Sequence, residues 1–370
     1  MVTSSFLPGR GGIESYLAEL CSVVAPRLAV LAARTREGKP IPLGLPYRTW
    51  PGPGSMLVPN ARVVEATVAA AQACETDRIL FGTPWPLALI GPRLKERGYS
   101  YSVIVHASEM LVPSTVPVIG TRLATALSGA DVLFAVSDFT AEQIEKVLTK
   151  KRKRVPPIER LRARVDLDRF RPDIDTQNVR QRLGIRPQER VVLCFGRLVR
   201  RKGIHRLIAV ADEIAAAVED TVIVVAGTGP EEKALRRAAR DRKARVIFAG
   251  RVSEDDAPAV YASASVFALP VVDRYGGLET EGLGVVLLEA AACEVPCVTG
   301  RSGGTPEAVI DGRTGYVIDA REESELASRI ARLLDQNDLA NTMGRAGREH
   351  VQAHFSSLEP PRPLLDWLDG

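Results

Sequence analysis

The chain has 370 residues, more than one α/β core usually holds, so two domains are expected. It is 45% hydrophobic and 25% charged, an ordinary globular balance, and no apolar run reaches the roughly 18–20 residues of a membrane-spanning helix. A net charge of +4 is too mild to indicate a nucleic-acid partner.

The N-terminus lacks the basic-then-apolar layout of a signal peptide. Only residues 1–4 precede the first turn, which predicts a short first strand or a chain start set too late. From there short apolar runs alternate with helical patterns. Strands are expected at 28–32, 78–81, 102–105 and 132–136, with helices at 13–24, 61–73 and 140–148. A polar stretch at 173–182 follows Arg171-Pro172 and places the joint between domains near 170–184. In the second half, strands are expected at 191–195, 221–226, 246–249, 265–269 and 295–299. Helices are expected at 204–217, 231–240, 255–264 and 285–292. The last stretch, 345–368, reads as helix broken at Pro360-Pro361 and Pro363, returning to the first lobe. The expected division is 1–170, 171–345 and 346–370. Such alternation gives two mostly parallel, doubly wound sheets with a cleft between them. Ligands of open α/β sheets bind beyond the carboxyl ends of the strands. Cys21, Cys74, Cys194, Cys293 and Cys297 are scattered and odd in number, which suits buried thiols in a reducing cytosol.

The strongest chemical pattern is Glu281-Gly282-Leu283-Gly284-Val285-Val286-Leu287-Leu288-Glu289. Eight residues of helix would span about 12 Å. That exceeds the roughly 5 Å separating a carboxylate pair that works on one glycosidic bond. It suits the two ends of an extended ligand. The glycines expose N–H groups at a helix start, a site for phosphate. Glu289 sits in an apolar run, so it needs a partner, and ligand hydroxyls are candidates. The second pattern is Phe195-Gly196-Arg197-Leu198-Val199-Arg200-Arg201-Lys202-Gly203, a strand end whose Arg197 and Lys202 suit a diphosphate. The third is Gly11-Gly12 before a helix, where the backbone can approach a phosphate. His106 ends a strand, with Glu109 three residues on, and can orient a reacting group.

Other patterns read as architecture. Asp166-Leu167-Asp168 imitates a metal motif but lacks further ligands. Gly227-Thr228-Gly229-Pro230 reads as a turn, and Gly303-Gly304-Thr305-Pro306-Glu307 as a loop with Thr305 as N-cap. The run Lys150-Lys151-Arg152-Lys153-Arg154 reads first as a solvated loop and second as a contact for anionic lipid.

These motifs resemble family 4 of the retaining glycosyltransferases. The markers are Gly11-Gly12-Ile13-Glu14-Ser15-Tyr16, His106-Ala107-Ser108-Glu109, Val136-Ser137-Asp138-Phe139-Thr140 and Val165-Asp166-Leu167-Asp168-Arg169-Phe170, with Arg197, Lys202, Glu281 and Glu289. Within that family the chain is most similar to actinobacterial mannosyltransferases of phosphatidyl-myo-inositol mannosides. The resemblance implies the GT-B fold, two Rossmann-like doubly wound domains facing a central cleft. It implies α-mannosyl transfer from GDP-mannose to a lipid-linked or inositol-containing acceptor, without a cofactor or metal. The departing diphosphate would help deprotonate the acceptor. Glu281 would meet the donor sugar and Glu289 the ribose. Arg197 and Lys202 would hold the diphosphate, with Gly12 approaching it, and Gly282, Leu283 and Gly284 would belong to the same donor site. His106 would lie by the reacting sugar, and Gly250, Arg251 and Val252 would line the base pocket. The expected location is cytoplasmic, at the inner membrane face. The alternatives are a UDP-sugar-dependent enzyme, and a non-catalytic nucleotide-binding Rossmann protein or oxidoreductase. The chain departs from those relatives in its shorter first strand, in His106-Ala107-Ser108-Glu109 for His-Gly-His-Glu, and in Arg162-Ala163-Arg164-Val165-Asp166 for Pro-Pro-Gly-Val-Asp. The last two departures fall in the acceptor-facing lobe.

Overall fold

Parallel strand pairing organises both halves of the chain. The structure, a computed structural model, describes residues 1–9, 11–36, 39–356 and 359–370. These form two compact units, Met1–Ala163 with Leu358–Gly370, and Arg164–Ser357.

The strands of the first unit are β1 (Val2–Thr3), β2 (Val30–Ala32), β3 (Thr35–Arg36), β4 (Lys39–Pro40), β5 (Thr49–Pro51), β6 (Arg78–Phe81), β7 (Ser100–Val105), β8 (Leu133–Ala135) and β9 (Ile158–Arg160). All but the β3–β4 hairpin join one parallel sheet, in the order β5-β2-β1-β6-β7-β8-β9. Its interior strand β7 is mostly apolar because helices cover both faces; Tyr101, Val103, Ile104 and Val105 are fully buried. Two helices are started by side-chain caps. The Asn60 carbonyl accepts from the Val63 N–H at 3.1 Å ahead of Ala61–Ala73, and the Ser137 hydroxyl from the Thr140 N–H at 3.0 Å ahead of Asp138–Lys150.

The second unit holds β10 (Arg190–Phe195), β11 (Thr221–Ala226), β12 (Arg245–Gly250), β13 (Val266–Leu269), β14 (Cys297–Gly300) and β15 (Gly315–Ile318). Their order is β12-β11-β10-β13-β14-β15, all parallel. Counted within the unit this is 3-2-1-4-5-6, the dinucleotide-fold order, whose direction reverses between β10 and β13. The first sheet reverses in the same way between β1 and β6. Each reversal opens a crevice at the carboxyl ends of its two strands.

Most expected elements appear within a residue or two of their anticipated ends. The helix expected at 204–217 is two helices, Ile204–Ala209 and Ala211–Ala217, broken at Val210. The stretch 170–184, expected as the joint, belongs to the second unit. Phe170 packs edge-on to Tyr261, and Arg348 donates to the Phe170 carbonyl at 2.9 Å. Arg180 donates to the carbonyls of Arg186 and Glu189, both at 2.8 Å. The polar composition of that stretch therefore serves carbonyl satisfaction rather than a linker. The expected segment 346–370 also divides. The helix Asn337–His354 lies in the second unit, whereas Arg362–Asp369 lies in the first. There Trp367 packs edge-on to Phe134, and Arg78 donates to the Trp367 carbonyl at 2.7 Å.

Candidate functional site

The reversal in the second sheet is where the charged motifs emerge. The chain leaves β10 through Gly196, at φ 148°, into the exposed Arg197, whose side chain has no ion-pair or hydrogen-bond partner among the described residues. A single tight turn, Arg200–Lys202, follows and closes at Gly203 with φ 70°. A Cβ on Gly203 would sit 1.8 Å from the Pro270 carbonyl oxygen, so only glycine fits there. That approach presses the turn against the residue that follows β13. Lys202 is consequently only 7% exposed.

The loop after β13 supplies the opposite wall. Asp273 anchors it, accepting from the Thr280 and Ser302 hydroxyls at 2.7 and 2.5 Å. The Glu281 N–H donates to Ser302 Oγ at 3.2 Å, and the Glu281 carbonyl accepts from the Gly304 N–H at 3.0 Å. Cβ atoms on Gly303 and Gly304 would stand 1.9 and 2.3 Å from the carbonyl oxygens of Glu281 and Gly282. The loop 303–307 is thus a mould for residues 281–282. Thr305 is not its N-cap; it opens the short helix Thr305–Ala308, and its hydroxyl donates to the Gly300 carbonyl at 2.8 Å. Gly282, Leu283 and Gly284, the last at φ 88°, lead into the helix Val285–Ala292.

Lys202 meets Glu281 across the crevice, with Nζ 2.9 Å from Oε2. Arg201 contacts the same oxygen. Burial alone would raise the Glu281 carboxyl, but the Lys202 and Arg201 charges outweigh it and bring it down to about 2. The hydrogen bond from Arg201 goes to Glu281 Oε2, and none goes to Oε1 among the described residues.

Glu289 behaves oppositely. Burial pushes its carboxyl up to about 7, against the opposing hydrogen bond from Tyr261 and the Arg169 charge. The Tyr261 hydroxyl donates to Glu289 Oε2 at 2.6 Å, and its ring stacks on Phe195 with centroids 5.1 Å apart. Phe195 is the residue before Gly196, so Glu289 is tied through Tyr261 to the exit of β10. Gly250 ends β12 at φ 66°, and its carbonyl accepts from the Gly227 N–H at 2.7 Å. Gly196, Gly227 and Gly250 therefore lie side by side, leaving Arg251 exposed and Val252 half-buried beyond them. Gly227-Thr228-Gly229-Pro230 is packing: Cβ atoms on Gly227 and Gly229 would meet the carbonyls of Gly196 and Leu198.

In the first unit, His106 follows β7 and is 9% exposed. Its Nε2 lies 3.0 Å from the Gly82 carbonyl, at the residue after β6. A carbonyl only accepts, so Nε2 carries the proton and Nδ1 is left as an acceptor. Burial brings the imidazole down to about 4, against the Gly82 hydrogen bond, so it is neutral at pH 7. The Tyr16 ring stands edge-on to it at 5.4 Å. Tyr16 belongs to the helix Gly12–Val24, whose exposed first residue has nothing within 4 Å of a Cβ position. Gly12 and His106 thus share one neighbourhood at the carboxyl end of the first sheet.

Residues 150–154 lie elsewhere. The helix Asp138–Lys150 starts at the carboxyl end of β8 and runs back, so the basic run sits at the amino ends of the strands. Arg154 donates to the carbonyls of Ser128 and Ala130; Lys150 and Arg152 are exposed. A cavity of about 550 Å³, lined by Met1, Tyr47, Trp50, Arg78 and Leu80, also lies at the amino ends and holds none of the site residues. Asp166 is a turn residue, accepting from the N–H groups of Asp168 and Arg169. Among the described residues, no three His, Cys, Asp or Glu side chains gather as a metal site, and no helix is long and apolar enough to cross a membrane. All five cysteines are free.

The family model for glycosyl transferases group 1 matches residues 175–350. The chain is 34% identical over 382 residues to a GDP-mannose-dependent α-(1-6)-phosphatidylinositol monomannoside mannosyltransferase of Mycobacterium tuberculosis, covering all of this chain and 97% of that one. It is 35% identical over 380 residues to the protein of the same description in Mycolicibacterium smegmatis, covering 98% of it. The chain belongs to the group 1 glycosyl transferases. Solved structures agree on the fold of this glycosyltransferase. HepE of Anabaena, in complex with UDP and glucose, superposes with a TM-score of 0.79 at 19% identity, covering 100% of this chain and 98% of that one. Sucrose-phosphate synthase of Thermosynechococcus elongatus gives 0.79 at 21% identity, covering 96% and 94%. The glycosyltransferase thus has the GT-B architecture of two Rossmann-like domains.

Proposed function

We propose that the enzyme transfers an α-mannosyl unit from GDP-mannose, with retention, to a phosphatidylinositol mannoside or a similar lipid-linked acceptor. The observation that carries the donor site is the Lys202–Glu281 pair at the β10/β13 reversal, with the exposed Arg197, its side chain unpaired among the described residues, on the same loop. In this reading Arg197 and Lys202 take the charge of the leaving diphosphate, a role otherwise given to a divalent ion. Gly12 brings a second set of N–H groups to the phosphate. Glu281 Oε1 accepts from a donor-sugar hydroxyl, and Glu289 receives the ribose hydroxyls. Gly282, Leu283 and Gly284 offer N–H groups at the start of the following helix. Gly250, Arg251 and Val252 line the base. His106, neutral with Nδ1 open, accepts a hydrogen bond from a sugar hydroxyl. No side chain is assigned as nucleophile; the donor phosphate helps deprotonate the acceptor on the face it leaves. The GDP-mannose-dependent phosphatidylinositol monomannoside mannosyltransferases that the chain is similar to support the donor and acceptor. The exposed Lys150 and Arg152 are proposed as a peripheral contact with anionic lipid.

The test is donor competition followed by product analysis. Thermal stabilisation by GDP exceeding that by UDP, and an α-mannoside formed on a phosphatidylinositol mannoside in the presence of a chelator, are the expected results. Preference for UDP would replace the donor assignment. Loss of turnover in chelator, restored by a divalent ion, would replace the metal-free one.

A further inference from the structure

On the donor reading above, Lys202 has two anionic partners: Glu281 in the free protein and the diphosphate once the donor arrives. A carboxylate left in a buried place without its counter-ion tends to protonate or turn away. Glu281 is in such a place, since its side chain is only 12% exposed. A second cation is already in position. Arg201 contacts Glu281 Oε2, and its Nε lies 3.9 Å from Glu279 Oε1. Glu279 is in turn held by Arg274 at 3.0 Å. The result is a row of alternating charge, Lys202, Glu281, Arg201, Glu279 and Arg274. Thr280 and Ser302 place Asp273 one hydroxyl away.

Backbone contacts fix Arg201 there. Its carbonyl accepts from the Val272 N–H at 3.0 Å, and Gly203 locks the same turn against Pro270. A guanidinium has five N–H donors in a planar fork, so it can serve Glu281 and Glu279 together, which an ammonium on a flexible stem does less well. Both cations approach Glu281 most closely at Oε2.

We infer that Arg201 is a positioning residue of the donor site, holding Glu281 ionised and aimed when Lys202 turns to the diphosphate. The inference rests on the donor reading. It assigns Arg201 no contact with the substrate.

Steady-state kinetics of the full chain with GDP-mannose, from pH 5 to 9, provide the first test. Arg201→Gln is expected to lower kcat/KM about thirtyfold at pH 6 and only a few-fold at pH 9, chiefly through KM. The wild type should lack this acid limb. Arg201→Lys should recover most of the loss. An Arg201→Gln enzyme with wild-type KM and pH profile overturns the inference. So does a loss of equal size at every pH that Arg201→Lys does not repair. A second measurement needs no donor: melting temperatures of Arg201→Gln, Glu281→Gln and the double variant. Without donor, Lys202 still neutralises Glu281 in Arg201→Gln, so the loss in the double variant should fall short of the sum of the two single losses by the Arg201–Glu281 coupling. Additive losses overturn the inference. If the wild type releases no nucleoside diphosphate from any sugar donor, the donor reading has failed, while the melting series still reads the Arg201–Glu281 coupling.

Discussion

The two sheets reverse direction in the same way, yet the crevices differ in charge. In the second unit the crevice is ionic: Lys202, Arg201 and Glu281 crowd together with Arg197 at the rim. In the first unit it holds a neutral imidazole, an edge-on tyrosine ring and an exposed helix start. Strand order fixes where a ligand goes; the loops fix which part of it is met. A diphosphate needs preorganised cations, and among the described residues the second crevice is where they gather. The first is suited to hydroxyls.

The largest expected effect tests that division. Arg197→Ala or Lys202→Ala should lower turnover by roughly 10²–10³, because each removes preorganised charge at the leaving group. Wild-type turnover in either variant would erase the contrast between the crevices. His106→Ala should cost less, about tenfold to a hundredfold in kcat, with little change in donor affinity measured by calorimetry. Loss of nucleotide binding in that variant would mean that the first crevice also handles the diphosphate. For the wild type, the imidazole protonates as pH falls through about 4, so its contribution should be full at pH 6 and lost below about 4.

The next effect concerns the basic run. Reversing Lys150 and Arg152 to Glu should weaken binding to anionic vesicles at least about thirtyfold, at about 1 kcal/mol per basic residue lost, and leave turnover of a detergent-solubilised acceptor unchanged. Unchanged vesicle binding would return residues 150–154 to the role of a solvated loop.

The smallest effect separates the two glutamates. Glu281 is held below the ordinary carboxylate range, so its stabilising contribution is present above about 4.5 and disappears as pH falls through about 2. Glu289 is raised to about 7, so the folded protein keeps a proton that the unfolded chain releases. Its contribution is full below about 4.5 and is lost as pH rises through about 7. Glu289→Gln should therefore flatten the fall in melting temperature between pH 5 and 8 by a few degrees. A parallel curve would place the titration elsewhere.

Much of this arrangement was legible in the sequence. Apolar runs such as 221–226 and 78–81 match β11 and β6 to the residue, since strands buried on both faces admit little else. Arg197, Lys202 and Glu281 stood out because glycines and charges at strand ends are costly without a purpose. Arg201 did not. In a run of Arg200, Arg201 and Lys202, nothing local says which cation turns inward; the Gly203–Pro270 contact decides it. Ser302, Asp273 and Tyr261 are common residue types whose roles exist only through partners distant in sequence. The joint at 170–184 misled for a related reason: Arg180 and Arg182 look like linker polarity until the carbonyls and the Asp256 carboxylate they serve are in place.

The return of Arg362–Asp369 to the first unit has a consequence for biosynthesis. A ribosome finishes the whole of the second unit before Trp367 emerges. Until then Phe134, fully buried in the finished protein, and the Arg78 guanidinium lack their cover. Folding of the first sheet during translation thus passes through a stage with an uncovered apolar groove, a surface for a nascent-chain chaperone, and a truncation just before Arg362 would leave that stage permanent.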